Sequence, residues 1–487
     1  MRGGGRSRNA DRPDPRLDML TKKLARENVV ADQKHTSFLR SDSLWALIFS
    51  MALVALLPLG AAAQTPSSSA PAAAPVTLFG SGVQTPLRFA GESTADNQVS
   101  LSMGASFFYD DNVLSNNADR LSDEAIAFTS HLGVARQTEN LTFSFDYTPY
   151  FPIYMHLDQF DRLNHLAALN MAYRLSSHFS VGVFDTISYQ NGFNASISEQ
   201  PITSGPGLPT ALNQTISPYT IRTLANSSGL NLTYGMSKRM SLTFTGEYNE
   251  RKFGSQGEGN QPLYNSNGGS GGVEFQYRVT EHTNIGILIL HQDTTYQGGN
   301  IFGSRVRAQT ESALVSVGSR LAPTVTLTVY GGPQYVHLLG LGASEAGISQ
   351  QWQPTGGASI TKEVRKTALD LSFQRAVSDG GGLYTSVINT SGTFGVRRRL
   401  AGKWEASLHG GGGEADASLF QLANGKTEAL LGGIDFSRPV RGGGLLHISY
   451  DTTHQVSKGT LPISSDYDRN QVSIGFDFRV KALPWGQ

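Results

Sequence analysis

From Gln98 onward, apolar and polar residues alternate one by one. Val99, Leu101, Met103, Ala105, Phe107 and Tyr109 fall on one parity, and Ser100, Ser102, Gly104 and Ser106 on the other. Successive side chains of a strand point to opposite faces, so this texture predicts a strand with one greasy and one polar face. The same alternation returns in Ile126/Phe128/Ser130/Leu132/Val134, Leu141/Phe143/Phe145/Tyr147, Leu230/Leu232/Tyr234, Leu242/Phe244/Gly246/Tyr248 and Val273/Phe275/Tyr277. Further on come Val325/Leu327/Val329, Leu369/Leu371/Phe373, Trp404/Ala406/Leu408, Leu446/Ile448/Tyr450 and Val472/Ile474/Phe476/Phe478/Val480. The pattern is weakest over 353–362 and 383–389.

Between these segments the chain turns to Gly, Asn, Ser and Asp, the residues of turns. The links alternate in length. Short ones fall at Thr138–Asn140, Ser176–Phe179, Ser237–Met240, Thr280–Thr283, Ala322–Thr324, Glu363–Lys366, Ala401–Lys403 and Arg438–Gly444. Long ones fall near 110–124, 151–163, 190–221, 251–269, 293–307, 338–352, 377–384, 412–426 and 452–468. A β-sandwich or β-helix has no reason to sort its loops by parity. Short turns on one rim and long loops on the other belong to the transmembrane barrel. The expected fold is all-β: an antiparallel up-and-down barrel over 98–480 with about 18 strands, 16 being the alternative count. An even count puts both ends of the barrel on the turn side.

In hydrocarbon every backbone polar group must be paired within the protein, and a closed barrel achieves this with strands. The apolar parity is then the lipid face and the polar parity the lumen. Charges follow the rule: Asp146, Glu247, Glu274, Arg278, Asp370, Arg397, Glu405, His409, Asp435, His447, Asp451, Asp477 and Arg479 all fall on the inward parity and are the candidate lumen-lining residues. An Arg or Lys on the lipid face at the midplane would cost roughly 2–4 kcal/mol. Arg136 and Arg375 fall on the outward parity, but at strand ends. Tyr109, Tyr147, Tyr173, Tyr234, Tyr248, Tyr277, Trp404 and Tyr450 sit outward near strand ends, as an interfacial girdle would. The inward set holds more carboxylates than arginines, which predicts a mild preference for cations in an open lumen.

Ahead of the barrel, Leu44–Gly60 is an uninterrupted apolar core, with Arg40 before it and Ala61-Ala62-Ala63 after it. This reads as a signal peptide over 1–63, cleaved after Ala63, with an extended polar n-region or a translation start at Met19. An uncleaved anchor is the rival reading, and Pro58 with the alanine triplet weighs against it. Residues 64–97 form a Pro/Ala/Ser-rich linker, and 481–487 a short tail. Export of a barrel points to the bacterial outer membrane.

Composition narrows the chemistry. The chain of 487 residues carries 39 basic and 39 acidic residues, only 16% charged, with 54 glycines and no cysteine. No basic face is implied, so nucleic acid is not an expected partner. Thiolate catalysis, disulfides and Cys-ligated metals are excluded. The glycine clusters Gly380–Gly382, Gly410–Gly413 and Gly442–Gly444 follow no Walker pattern. Asp110, Asp111, Asn112, Asn116, Asn117 and Asp119 could offer oxygen to Ca²⁺, but a solvated loop explains them equally. His291, His337, His409, His447 and His454 sit in no nucleophile arrangement of the kind an outer-membrane lipid hydrolase needs. No enzyme activity and no cofactor are expected.

The stretch FFYDDNVLSNN, Phe107 to Asn117, runs from a strand into an acidic, Asn-containing loop. It resembles the Tyr-Asp-x-Asn signature near the first strand of a family of bacterial outer-membrane β-barrel porins associated with exopolysaccharide genes. The serial hairpins over 98–480 are similar to that family as well. The resemblance implies passage of hydrophilic solutes or of a surface polysaccharide, with membrane lipids and the barrel-assembly machinery as partners. The chain departs from the usual barrel end, since VSIGFDFRV is followed by KALPWGQ rather than closing on an aromatic. The alternatives are a non-conducting structural or adhesive barrel and a lipid hydrolase.

Overall fold

The computed structural model describes residues 97–115, 117, 120–191, 222–254, 263–298, 305–339, 350–380, 384–417, 425–459 and 466–484. The proposed signal peptide with its cleavage at Ala63, and the linker up to Asp96, lie outside them. Eighteen strands follow one another: β1 (Gln98–Asp110), β2 (Asp123–Gln137), β3 (Leu141–Tyr154), β4 (Asn164–Arg174), β5 (Phe179–Asn191), β6 (Arg222–Gly235), β7 (Met240–Phe253), β8 (Tyr264–Arg278) and β9 (Thr283–Gly298). Then come β10 (Val306–Ala322), β11 (Val325–Leu339), β12 (Gln350–Val364), β13 (Thr367–Gly380), β14 (Tyr384–Arg399), β15 (Glu405–Asp416), β16 (Gly425–Pro439), β17 (Gly444–Gly459) and β18 (Tyr467–Pro484). Each pairs antiparallel with the next, and β1 pairs with β18, so the sheet closes on itself. Closure leaves no edge strand with unpaired backbone groups.

All eight short links hold, and the strand count is the expected 18. The strands reach further into several long links than expected, with β8 beginning at Tyr264, β9 running to Gly298 and β17 to Gly459. The link at 377–384 shrinks to residues 381–383, because β13 and β14 extend toward each other. The last strand runs past Val480 to Pro484, since a bulge opposite Val99 and Leu101 lets Leu483 and Pro484 keep pairing with β1.

Burial identifies the outer face. Met103 is 57% exposed, Ile289 62% and Leu430 62%, and Phe373, Leu371, Val315 and Phe128 are similarly bare. A water-soluble sheet does not leave a continuous belt of large apolar residues uncovered. A closed barrel wearing such a belt is an outer-membrane barrel. Tyr173, Tyr234 and Tyr277 fringe the belt on the turn side and Tyr109, Tyr248 and Tyr450 nearer the loops, all exposed. Trp404 lies in the turn between β14 and β15, its ring beneath the Arg438 guanidinium at 5.6 Å. Small residues Ala358, Gly392 and Gly412 leave a shallow groove of about 640 Å³ between Phe373, Phe394 and Leu430 on this face.

Candidate functional site

The register places directly opposed residues on one face of the wall. By that criterion all thirteen candidate residues share the face turned away from the apolar belt, and most have a specific partner. His409 holds Asp435 Oδ2 at 3.3 Å through Nδ1 and Asp451 Oδ1 at 3.1 Å through Nε2. Both ring nitrogens face carboxylate oxygens, which accept only, so the ring must donate from both. His447 Nδ1 lies 3.2 Å from Asp477 Oδ2. Arg397 pairs with Glu405 across the β14–β15 turn. Ser227 donates to Glu247, Gln276 to Glu274 and Thr361 to Asp370, at 2.9, 2.9 and 3.1 Å. Asp146 meets His131 at 3.0 Å. His131 was missed in the sequence, although it shares the parity of Thr129 and Gly133.

Glycines decide how these pairs lie. A Cβ on Gly433 would overlap the His409 ring and the Asp451 carboxylate; one on Gly475 would overlap His447; one on Gly104 would overlap Asp477. Each glycine is a hollow in the wall into which a ring or carboxylate lies flat. The glycine-rich stretches are therefore seats for polar side chains as well as loop punctuation.

Charge is tiered along the axis. Asp146, Glu247, Glu274, Asp370, Asp435 and Asp451 sit three to seven residues in from the turn ends of their strands. Below them stand the exposed Arg174, Arg278 and Arg320 at the turn ends of their strands, and Arg479 level with Gly443 of the β16–β17 turn; their guanidinium groups make no ion pair among the described residues. Counting formal charges in the sequence alone hid this separation.

The inner face is not uniformly polar, contrary to the simple parity rule. Phe108, Ala125, Ala127 and Tyr154 pack with Val113 of the first long link, and Leu157 and Phe160 of the next lie against them. The Asp123 carboxylate fastens that second link, accepting from the His156 and Leu157 amides at 3.0 and 2.9 Å. Nearly opposite in the ring, Tyr264, Tyr296, Val306, Ala308, Val336 and Leu338 form a second inward apolar cluster, joined by Val377 and Ile388. A third, smaller contact joins Leu288 and Leu314, with Tyr330 against them.

Among its described residues, the acidic loop after β1 turns its oxygens to protein donors. Arg469, buried, grips both Asp110 carboxylate oxygens. Asp111 is taken by Arg120 and by Asn470, whose amide and side chain donate to it at 2.7 Å each. Asn112 donates to the Asp468 carbonyl at 2.8 Å. The oxygens face nitrogen donors of β18 instead of a common centre; Asn116 and Asp119 lie outside the described residues. The motif bolts the first strand to the last.

His291 pairs with Glu311 and His454 with Asp468 on the outer parity. No family model matches the sequence, and no curated protein matches it. Solved structures resemble it at low identity. The outer membrane protein OpdK of Pseudomonas aeruginosa is 12% identical, covering 79% of this chain and 99% of its own, with a TM-score of 0.39. The FrpB iron transporter of Neisseria meningitidis is 9% identical, covering 80% and 83%, with a TM-score of 0.40. OccAB4 of Acinetobacter baumannii is 10% identical over 79% of this chain and 99% of its own, with a TM-score of 0.40.

Proposed function

We propose that the barrel is a passive pore for hydrophilic solutes, its selectivity set by lumen width and wall charge. One observation carries this reading: the inward polar side chains are paired along the wall in glycine hollows rather than stacked across the interior. Between the inward apolar clusters, such a wall gives water and solute a polar surface to follow. The thirteen inward residues are then its lumen lining. Outer-membrane lipids cover the apolar belt, and the barrel-assembly machinery inserts it.

Passage of a surface polysaccharide is the finer form of the proposal. It rests on the Tyr109-Asp110-Asp111-Asn112 stretch, and its sign would be transient block of single channels by long oligosaccharides. The first experiment is reconstitution in planar bilayers with liposome swelling by sugars of graded size. Stepwise conductance and swelling are expected. Silence in both assays would leave a structural or adhesive barrel, and phospholipid cleavage by the solubilised protein would make it a hydrolase.

A further inference from the structure

We infer that the loop-side ends of β13 and β14, at Val377 and Thr385–Asn389, leave the barrel wall, lie as a second layer inside it, and set the size limit of the lumen. The inference rests on the pore reading above. Four observations converge. First, β12 and β13 stop pairing at Gly356 and Arg375, although β12 continues to Gln350 and β13 to Gly380. Above that point β12 stays with β11 as far as His337 and Gln350, while β13 stays with β14. The sheet is slit between β12 and β13. Likewise β14 and β15 part beyond Ile388 and Asp416.

Second, the freed strand is tied inward. The Val377 amide, with no β12 carbonyl to meet, donates to Gln334 Oε1 at 3.0 Å, and Gln334 projects from the inner face of β11, two strands away. Third, Thr385, Ser386, Val387, Ile388 and Asn389 are all buried. A strand in a one-layer wall alternates covered and bare positions; consecutive burial on both parities requires cover on both faces. Fourth, the cover on one face is identified. Val377 and Ile388 carry the parity that lower in these strands faces lipid, as Phe373 and Phe394 do, yet they pack against Val336, Leu338 and Tyr296 of the inner wall. Only a hairpin slid inside β12 and β11 puts that face there.

The hairpin thereby takes up cross-section at the loop side. Across the ring, the Phe108–Tyr154 cluster projects inward at the same end. The remaining passage runs between them. Gln351 Oε1, Asn389 Oδ1 and Ser391 Oγ are buried around the crossing with no hydrogen-bond partner among the described residues. Apolar contact, rather than a closed hydrogen-bond network, is what holds the tip.

The test shortens the hairpin by joining Ala376 to Asn389 through a Gly-Gly turn. Val377→Asp with Ile388→Asp serves as the milder variant, and a partial shortening of the 254–263 link between β7 and β8 that leaves a turn in place serves as control. Folding is verified by the heat-dependent shift in gel mobility. The expected result is at least a two-fold rise in single-channel conductance and swelling by larger sugars for both hairpin variants, with the control unchanged. Folded hairpin variants that keep the parent conductance and cut-off overturn the inference. A silent parent with conducting hairpin variants would sink the pore reading and make the hairpin a plug; silence in all would overturn both.

Discussion

A carboxylate buried at the seam of a barrel is tolerable only if a cation meets it with good geometry. Asp110 and Arg469 meet that condition where the first strand closes on the last, beside the buried rings of Tyr154 and Tyr467. Removing one partner takes from the other buried charge its opposite ion, a cost of about 3–5 kcal/mol. Asp110→Ala and Arg469→Met should each lower the urea midpoint and weaken heat-resistant gel mobility. Asp110→Leu combined with Arg469→Met should recover most of the loss, and a double variant as unstable as the sum of the singles would refute the pairing argument. The glycine hollows make a second residue-scale prediction. Gly433→Ala should fold normally but push His409 off the wall into the lumen, lowering conductance by tens of per cent without changing the unfolding free energy by more than about 1 kcal/mol. At this scale the inward charges were legible because parity alone assigns a face. Their partners were not: pairing His409 with Asp451, or His131 with Asp146, needs the register between strands, which no single strand contains.

At the scale of the strand, the claim is that neighbouring positions live in different solvents. Phe244 of β7 lies in the apolar belt, 46% exposed, and Thr245 turns to the other face, opposite Asn231 and Gly272. Phe244→Arg should cost about 2–4 kcal/mol in lipid vesicles, while Thr245→Arg should be nearly neutral to stability and alter conductance instead. Equal destabilisation by the two would remove the lipid-versus-lumen assignment. The alternation that supports this is legible along most of the barrel, and so are the eight short turns. The alternation is weak over 383–389 for a physical reason: Val387 and Ile388 are adjacent apolar residues, which breaks period two. Adjacent apolar pairs are what a strand covered on both faces requires. The signal was present, but it describes burial and says nothing of which wall does the burying.

For the whole molecule, the tiers of charge imply a direction. Arg174, Arg278, Arg320 and Arg479 ring the turn-side mouth without ion-pair partners among the described residues, and the carboxylates of Asp146, Glu247, Asp435 and Asp451 lie deeper in the wall. The mild cation preference expected from counting charges becomes an axial asymmetry. In the proposed pore, anions would be drawn in at the turn side, while the wall above would favour cations. When the loop side is held positive, both ions are driven into the zone that attracts them, so their local concentration and the current rise. With the opposite polarity both are swept out and the current falls. The barrel should therefore rectify in about 0.1 M salt, where the Debye length is about 10 Å, and lose the effect near 1 M, where it is about 3 Å. Because the chain has no cysteine, a single Ser237→Cys in the β6–β7 turn, reacted with an impermeant thiol reagent in one chamber, reports which way the barrel faces. Arg278→Gln with Arg320→Gln should flatten the current–voltage curve at low salt and leave the high-salt conductance alone. Rectification of the opposite sign, or rectification that survives 1 M salt, would show that shape at the loop-side constriction controls the current rather than charge at the turn-side mouth.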